Sequence, residues 1–467
     1  GNPGTYIDII TTTTDSTLTK TINTNYNITA VFATKGAGLT IFGEGNVTVA
    51  QQSQTLLEQN FTNSSKEMNY QVEVANITLT ATPGSYSSVV TANCYFRYLV
   101  NDEYVYFTVE DGDLTVTENA DGTVTFTYNN PKMYFVEAYI EFKSTTWASN
   151  GKYIAPSGDG TINNPYIISN ASHLGWVSYM HSKAANQTVS PSAGKYFKLA
   201  NDIVLTGNYW LPIGNNESGT WPFAGTFDGN GYKITGMDLY AFENIFYAGN
   251  NQIETVKNLG FFGYTENANI YNLTVEGSVN YRSNGTITRD EDNEYPFEDE
   301  NSPRKATILN YELINLGGIA GLANNTNFVY VQFNNNVAYN EYNWREDHNY
   351  SEVSIGGLIG KTIGNVNITD SGFNSTITVS SQFNLIGNLS QVGGLVGYAA
   401  SGSLSISSSR AANATIAITN GYIKHVGGLV GNSNATLTVS DSYSDGALNV
   451  TTATGIGGIV GTVTTGT

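Results

Sequence analysis

The stretch GGLIGKTIGNVNITDSGFNSTITVS, Gly356 to Ser380, decides the fold. It opens on Gly-Gly-(Ile/Leu)-x-Gly and continues in short segments where apolar and polar residues alternate, the pattern of strands with one buried face. The opening recurs as GGIAG (Gly317–Gly321), GGLVG (Gly393–Gly397), GGLVG (Gly427–Gly431) and GGIVG (Gly457–Gly461), with a degenerate LGFFG at Leu259–Gly263. Successive full copies start 39, 37, 34 and 30 residues apart, within the period range of solenoids. SLSISSSRAANATIAITN and TLTVSDSYSDGALNVTT follow two of them with the same alternation. Each repeat therefore supplies strands and turns. No single repeat can bury its own Ile/Leu/Val face, so repeats must stack and share one elongated core. The paired glycines then fall where backbones pack closely or where φ must be positive.

The pattern has a lead-in upstream: GDGTINNPYIISNASHLGWVSYM (Gly158–Met180), KYFKLANDIVL (Lys195–Leu205), WLPIG (Trp210–Gly214), FAGTFDGNGYKITGMDL (Phe223–Leu239) and NLTVEGSV (Asn272–Val279). Glycine motifs and lead-in together resemble the GLUG repeat family, named for its Gly-Leu-x-Gly signature and found mostly in large secreted or surface proteins of bacteria. The resemblance covers about residues 157–461. It implies a right-handed parallel β-helix serving as scaffold or stalk, and no particular activity.

One helix interrupts the β pattern. Ala171 to Ala185 sets His173, Leu174, Val177, Met180 and His181 at helical spacing behind a cap at Asn170 or Ser172, as a lid on the solenoid end. The first 145 residues lack the glycine motif. They carry strand candidates NITLTA, CYFRYLV, YVYFTV, LTVTE, TVTFTY and VEAYIEF, with turns at Asp111-Gly112 and Asp121-Gly122, which suits an Ig-like β-sandwich. The initial segment reads equally as a sandwich strand pair, a first solenoid coil or a strand given to a neighbouring subunit. The expected organisation is an all-β chain: a sandwich-like region over 1–145, lead-in and cap over 146–258, and the repeat solenoid over 259–467 with an acidic insert at 289–304.

At 467 residues the chain has room for two or three domains. Only 13% of residues are charged, so neutral Thr, Ser, Asn and Gly must cover the surface. A net charge of −19 disfavours nucleic acid and anionic membranes as partners. Cys94, the single cysteine, excludes an intramolecular disulfide and a cysteine-built metal site. No apolar run approaches the ~18 residues that span a bilayer, and a start at Gly1 without a signal-like segment reads as a processed or trimmed product. Candidate N-glycosylation sequons start at Asn27, Asn46, Asn60, Asn63, Asn76, Asn170, Asn186, Asn216, Asn272, Asn284, Asn324, Asn349, Asn367, Asn374, Asn388, Asn413, Asn434 and Asn449. If they are used, the chain passed through a glycosylating export route.

Chemistry-bearing motifs are few. GGLIGKT, Gly356 to Thr362, resembles a phosphate loop, but that loop needs glycine where Ile355 stands, and the other repeats place Tyr398, Asn432 and Thr462 at the position of Lys361. His173, His181, His348 and His425 form no zinc motif and read as surface or core residues. RDEDNEYPFEDENSPR, Arg289 to Arg304, offers Asp290, Glu291, Asp292, Glu294, Glu298, Asp299 and Glu300 as oxygen donors for calcium, at a spacing that fits a solvated loop better. Asp228-Gly229-Asn230-Gly231 reads as a turn. Trp210, Trp221 and Trp344 could present sugar-binding faces, with core packing the plainer reading. No carboxylate pair stands out for glycoside hydrolysis. With no catalytic, cofactor or metal residue in view, the sequence reads as a non-enzymatic extracellular structural or adhesive protein, a subunit of a cell-surface filament or layer or an adhesin stalk. Its partners would be copies of itself or a cell-surface or host glycan or protein. A polysaccharide-binding or polysaccharide-degrading β-helix is the alternative.

Overall fold

A computed structural model describes residues 35–42, 45–51, 54–60, 64–70, 77–84, 86–100, 103–108, 114–128, 137–182, 189–215, 221–243, 255–284, 312–342, 352–381, 389–419 and 423–464. The chain is mostly β-strand with one α-helix among these residues, and the solenoid strands pair in parallel as in a β-helix. Three sheets run along the column. A 17-stranded long sheet begins at Tyr166–Ile168. The inner sheet comprises Thr255–Leu259, Glu312–Gly317, Glu352–Gly356, Leu389–Gly393, Ile423–Gly427 and Ala453–Gly457. The return sheet comprises Phe262–Glu266, Ala320–Asn324, Ile359–Ile363, Val396–Ala399, Val430–Ser433 and Val460–Val463. The glycine motif is the turn between inner and return strands.

Its three glycines answer three separate collisions. A Cβ on the first, Gly356, would stand 2.0 Å from Ile359 O, across its own turn. On the second, Gly357, it would meet Gly394 O of the next coil at 2.2 Å. On the third, Gly397 in the following copy, it would lie 2.5 Å from Ile355 N, because the return strand rests directly on the inner strand of the coil before. None of these glycines has positive φ, so space rather than backbone freedom fixes the motif. The intervening Leu358, Leu395 and Leu429 point inward and are buried, and their amides link turn to turn, Leu358 N to Leu395 O at 3.0 Å and Leu395 N to Leu429 O at 2.9 Å.

Alternation along each coil sends one side chain in and the next out. Val366 and Ile368 are buried while Asn365 and Asn367 are exposed, and the in-register partners Leu404 and Ile406 continue the core below them. Fully burying such a side chain is worth about 1.5–3 kcal/mol, a gain available only when a neighbouring coil covers it. Rings stack along the axis as well: Tyr281 on Tyr339 at 5.3 Å and Phe333 on Phe373 at 6.3 Å.

A corner inside the long sheet uses a second device. Asn272, Tyr330, Asp370, Ser408 and Asp441 hold φ between 48° and 56°, a left-handed conformation costing roughly 1–2 kcal/mol for a residue with a Cβ. From Asp370 onward the following residue is serine, whose Oγ accepts an N–H from the coil above: Val331 N to Ser371 at 3.0 Å, Ser371 N to Ser409 at 3.1 Å, Ser409 N to Ser442 at 3.0 Å. Each hydroxyl donates in turn to a carbonyl of its own coil. These bonds satisfy amides that the corner would otherwise orphan.

The helix, α1, spans Ala171–Ser182, with Asn170 Oδ1 accepting His173 N–H at 2.9 Å as the N-cap; residues 183–185 lie outside the described residues. Leu174 and Val177 join the solenoid core, and Gly175 lies against Trp147 O, where a Cβ would stand only 2.2 Å away. The described residues between 35 and 144 form two further sheets, one of six strands and one of five. Phe96, Ala138, Ile140 and Phe142 from one, and Val47, Leu79, Ala81 and Phe126 from the other, are buried, as a sandwich requires. Within them Asp121 makes a hairpin turn, accepting Thr123 N–H at 3.0 Å. The turn expected at Asp111-Gly112 lies outside the described residues.

Candidate functional site

A coil closes by passing from the end of the long sheet to the next inner strand. The shortest passage takes two residues, Thr451 and Thr452, between Leu448–Val450 and Ala453–Gly457. At every earlier coil the same passage holds an insert: 244–254, 285–311, 343–351, 382–388 and 420–422. The inserts themselves, including the acidic stretch 289–304, Trp344 and His348, lie outside the described residues. Their anchor strands place all five departures on one edge of the column, because the strands on either side are in parallel register with their equivalents.

Two rows on the outward face of the long sheet are uncharged and regular. One row runs Asn269, Asn327, Asn367, Ser405, Thr438, and a second runs Asn365, Ser403, Thr436. Neighbours in a row bond laterally: Asn327 Nδ2 to Asn269 Oδ1 at 2.9 Å, Asn367 Nδ2 to Asn327 Oδ1 at 2.8 Å, Ser403 Oγ to Asn365 Oδ1 at 2.9 Å. Strand spacing of about 4.8 Å sets the repeat along each row.

The charged groups of the first coils pair among themselves. Asp228 Oδ1 accepts Asn230 N–H at 2.8 Å and Asn272 Nδ2 at 3.2 Å, and Lys198 Nζ lies 3.8 Å from its other oxygen, so the Asp228-Gly229-Asn230-Gly231 segment is a turn. Lys233 bonds Glu276 at 3.2 Å. Lys361 offers nothing to a phosphate: its ammonium bonds Glu352 across the glycine turn and lies 5.4 Å from the centre of the Tyr398 ring. Their side chains are 17% and 8% exposed, which makes this a buried ion pair.

Trp210 is core, stacked on Phe261 at 5.0 Å with its indole N–H bonded to Phe261 O, which removes it as a sugar platform. Trp221 is half-buried. The described histidines stand apart in role. His173 Nδ1 lies 3.2 Å from Ser169 Oγ. His425 Nδ1 meets Thr462 Oγ1 at 2.7 Å. His181 is buried, and desolvation pushes its pKa down to about 4, so the ring is neutral at pH 7. Its Nδ1–H donates to Val177 O at 2.7 Å, leaving Nε2 to accept Ser192 Oγ at 2.8 Å. This Ser–His contact, which spacing did not reveal, also receives Ala224 N–H at Ser192. Both side chains are sealed from solvent, which suits a structural tie. Among the described residues no group of three or more His, Cys, Asp or Glu could hold a metal, and no helix is long and apolar enough to cross a membrane.

Of the sequon asparagines, Asn170, Asn272, Asn367, Asn374, Asn413, Asn434 and Asn449 are exposed, and Asn324 is half-buried. Asn46 and Asn60 are register partners on paired strands, and Asn284 ends a strand. Asn27, Asn63, Asn76, Asn186, Asn216, Asn349 and Asn388 lie outside the described residues. Asn324 Nδ2 is committed to Glu266 Oε1 at 3.0 Å and Tyr264 Oη at 3.4 Å, beside a tyrosine whose pKa burial raises to about 12.

No family model matches the chain, and the likeness to GLUG repeats stays a resemblance of motif. A curated protein of Evansella cellulosilytica named "Putative Gly-rich membrane protein" is similar at 33% identity over 128 residues, 26% of this chain and 12% of that protein. Among solved structures the chain is similar to an IgA1 protease, at a TM-score of 0.32 and 14% identity, covering 91% of this chain and 28% of that one. The chain thus spans a small fraction of both proteins. The IgA1 protease comparison corrects one expectation: it sets a named protease beside a chain read as a non-enzyme, and that exclusion is withdrawn. A likeness of this size assigns no activity in its place.

Proposed function

We propose that the chain is an extracellular or cell-surface β-helix that serves as a structural or adhesive scaffold, with an N-terminal β module over 1–145 carried on the solenoid. The observation that carries this reading is that the five lengthened passages from the long sheet to the inner sheet all leave the column at one edge. In repeat folds, inserts confined to one face commonly form the binding face. A rigid column holds such segments at fixed spacing, so many weak contacts can act together. The partners that suit this edge are a second copy of the chain or a surface glycan or protein. The similarity to a Gly-rich membrane protein supports association with a cell surface.

The uncharged amide and hydroxyl rows favour one second reading, binding of a neutral polysaccharide. The test is replacement of residues 289–304 by a short Gly-Ser linker, followed by electron microscopy of assemblies and binding to source cells. Loss of assembly or adhesion with an intact fold supports the scaffold reading. Retention of both rejects the insert edge as the contact surface.

A further inference from the structure

A narrow, largely polar seam lies between the inner and return sheets, buried along most of its length. On the inner side one position per coil reads Asn258, Asn315, Ser354, Gln391, His425. On the return side the residue after the third glycine reads Leu322, Lys361, Tyr398, Asn432, Thr462. The third glycine fixes how the two meet. A Cβ on Gly461 would fall 2.6 Å from Val426 O, and one residue away on each strand Thr462 and His425 bond at 2.7 Å. A Cβ on Gly431 would likewise fall 2.8 Å from Val392 N and C, which sets Asn432 at the position opposite Gln391.

That pair is incomplete. Gln391 is fully buried, and its Oε1 accepts Ser354 Oγ at 3.2 Å, which orients the amide. Its Nε2 has no partner, nor has Oδ1 of Asn432, itself 5% exposed. The same offset that joins His425 to Thr462 thus places a donor and an acceptor at opposed positions of the seam, neither with a hydrogen-bond partner. Asn315 Oδ1, also unpartnered, belongs to the same seam. Buried polar groups in proteins are nearly always satisfied, and ordered water is the usual agent where protein atoms do not reach.

We propose that the seam is an internal hydration site, with one ordered water accepting from Gln391 Nε2 and donating to Asn432 Oδ1. Its ligand is water, held by two side-chain amides at the positions where His425 and Thr462 meet directly one coil further on. A crystal structure of the 467-residue protein at water-resolving resolution decides this. Density for a water within hydrogen-bonding distance of both atoms is the expected result. A dry gap, or a direct amide-to-amide bond, overturns it. The double variant Gln391→Leu/Asn432→Leu should lose that density, and its denaturation midpoint should exceed that of Gln391→Leu alone, because the single variant leaves Asn432 Oδ1 orphaned. A double variant whose midpoint falls below the single one also rejects the proposal. Should both variants fail to fold, the wild-type map still decides.

Discussion

Gly394 and Gly458 occupy the same position in two copies of one motif, so sequence assigns Gly→Ala the same effect at both. Packing assigns opposite effects. A Cβ on Gly394 would stand 2.0 Å from Gly428 O, a backbone atom of the next coil, and 2.7 Å from the Ala411 Cβ. On Gly458, in the last motif copy of these 467 residues, it would meet nothing within 4 Å. No rotamer relieves a clash with backbone, so Gly394→Ala must push adjacent coils apart and should cost about 3 kcal/mol, the upper end for overpacking. Gly458→Ala has no positive φ to forbid it and should be neutral or gain up to about 1 kcal/mol from the stiffer unfolded chain. Urea denaturation followed by far-UV circular dichroism measures both, with equal m-values licensing the comparison. If the two variants unfold within about 0.5 kcal/mol of each other, coil-on-coil glycine contact is not what the motif provides.

Three further outcomes follow from the described geometry. His181 titrates at about 4 in the fold against ~6.5 when unfolded; the unfolded chain therefore binds more protons in this window, and stability should fall by roughly 3 kcal/mol as pH drops from 6.5 to about 4. His181→Gln should flatten that dependence, and an unchanged slope in the variant rejects the assignment. Breaking the Glu352–Lys361 pair by Lys361→Met should cost about 3–5 kcal/mol, whereas Glu352→Leu/Lys361→Leu, which copies Leu313 and Leu322 of the preceding coil, should return to within about 1 kcal/mol of wild type; equal losses in calorimetry would refute a buried-pair account. Glycopeptide mapping of source-derived protein should find Asn449 modified and Asn324 bare, since both hydrogens of the Asn324 amide are engaged. A glycan at Asn324 contradicts this.

The solenoid was legible because its information is periodic. Alternation in TLTVS or SLSIS can bury only one face, and the glycine triplet recurs where a turn must stack on its copy. The capped helix was equally local, being written in Asn170 and the spacing of Leu174 and Val177. What sequence could not supply are pairings across coils. Glu352 and Lys361 are nine residues apart but meet only because the glycine turn folds one strand onto another. Ser192 reaches His181 through the irregular lead-in, where no period helps. The seam is invisible for the same reason, since Gln391 and Asn432 belong to different coils and different sheets. One further signal does stand in the sequence: the residue pairs Asp370-Ser371, Ser408-Ser409 and Asp441-Ser442 recur at matching places in three repeats, and they mark the left-handed corner with its serine ladder.

Cross-linking mass spectrometry on intact source cells, with a reagent that couples carboxylates, tests the central claim most directly. The scaffold account predicts intermolecular links concentrated in 285–311 and 343–351, joining the insert edge to another copy or to a second surface molecule. Links confined to the N-terminal sheets, with the insert carboxylates unlinked though accessible to the reagent, would contradict it.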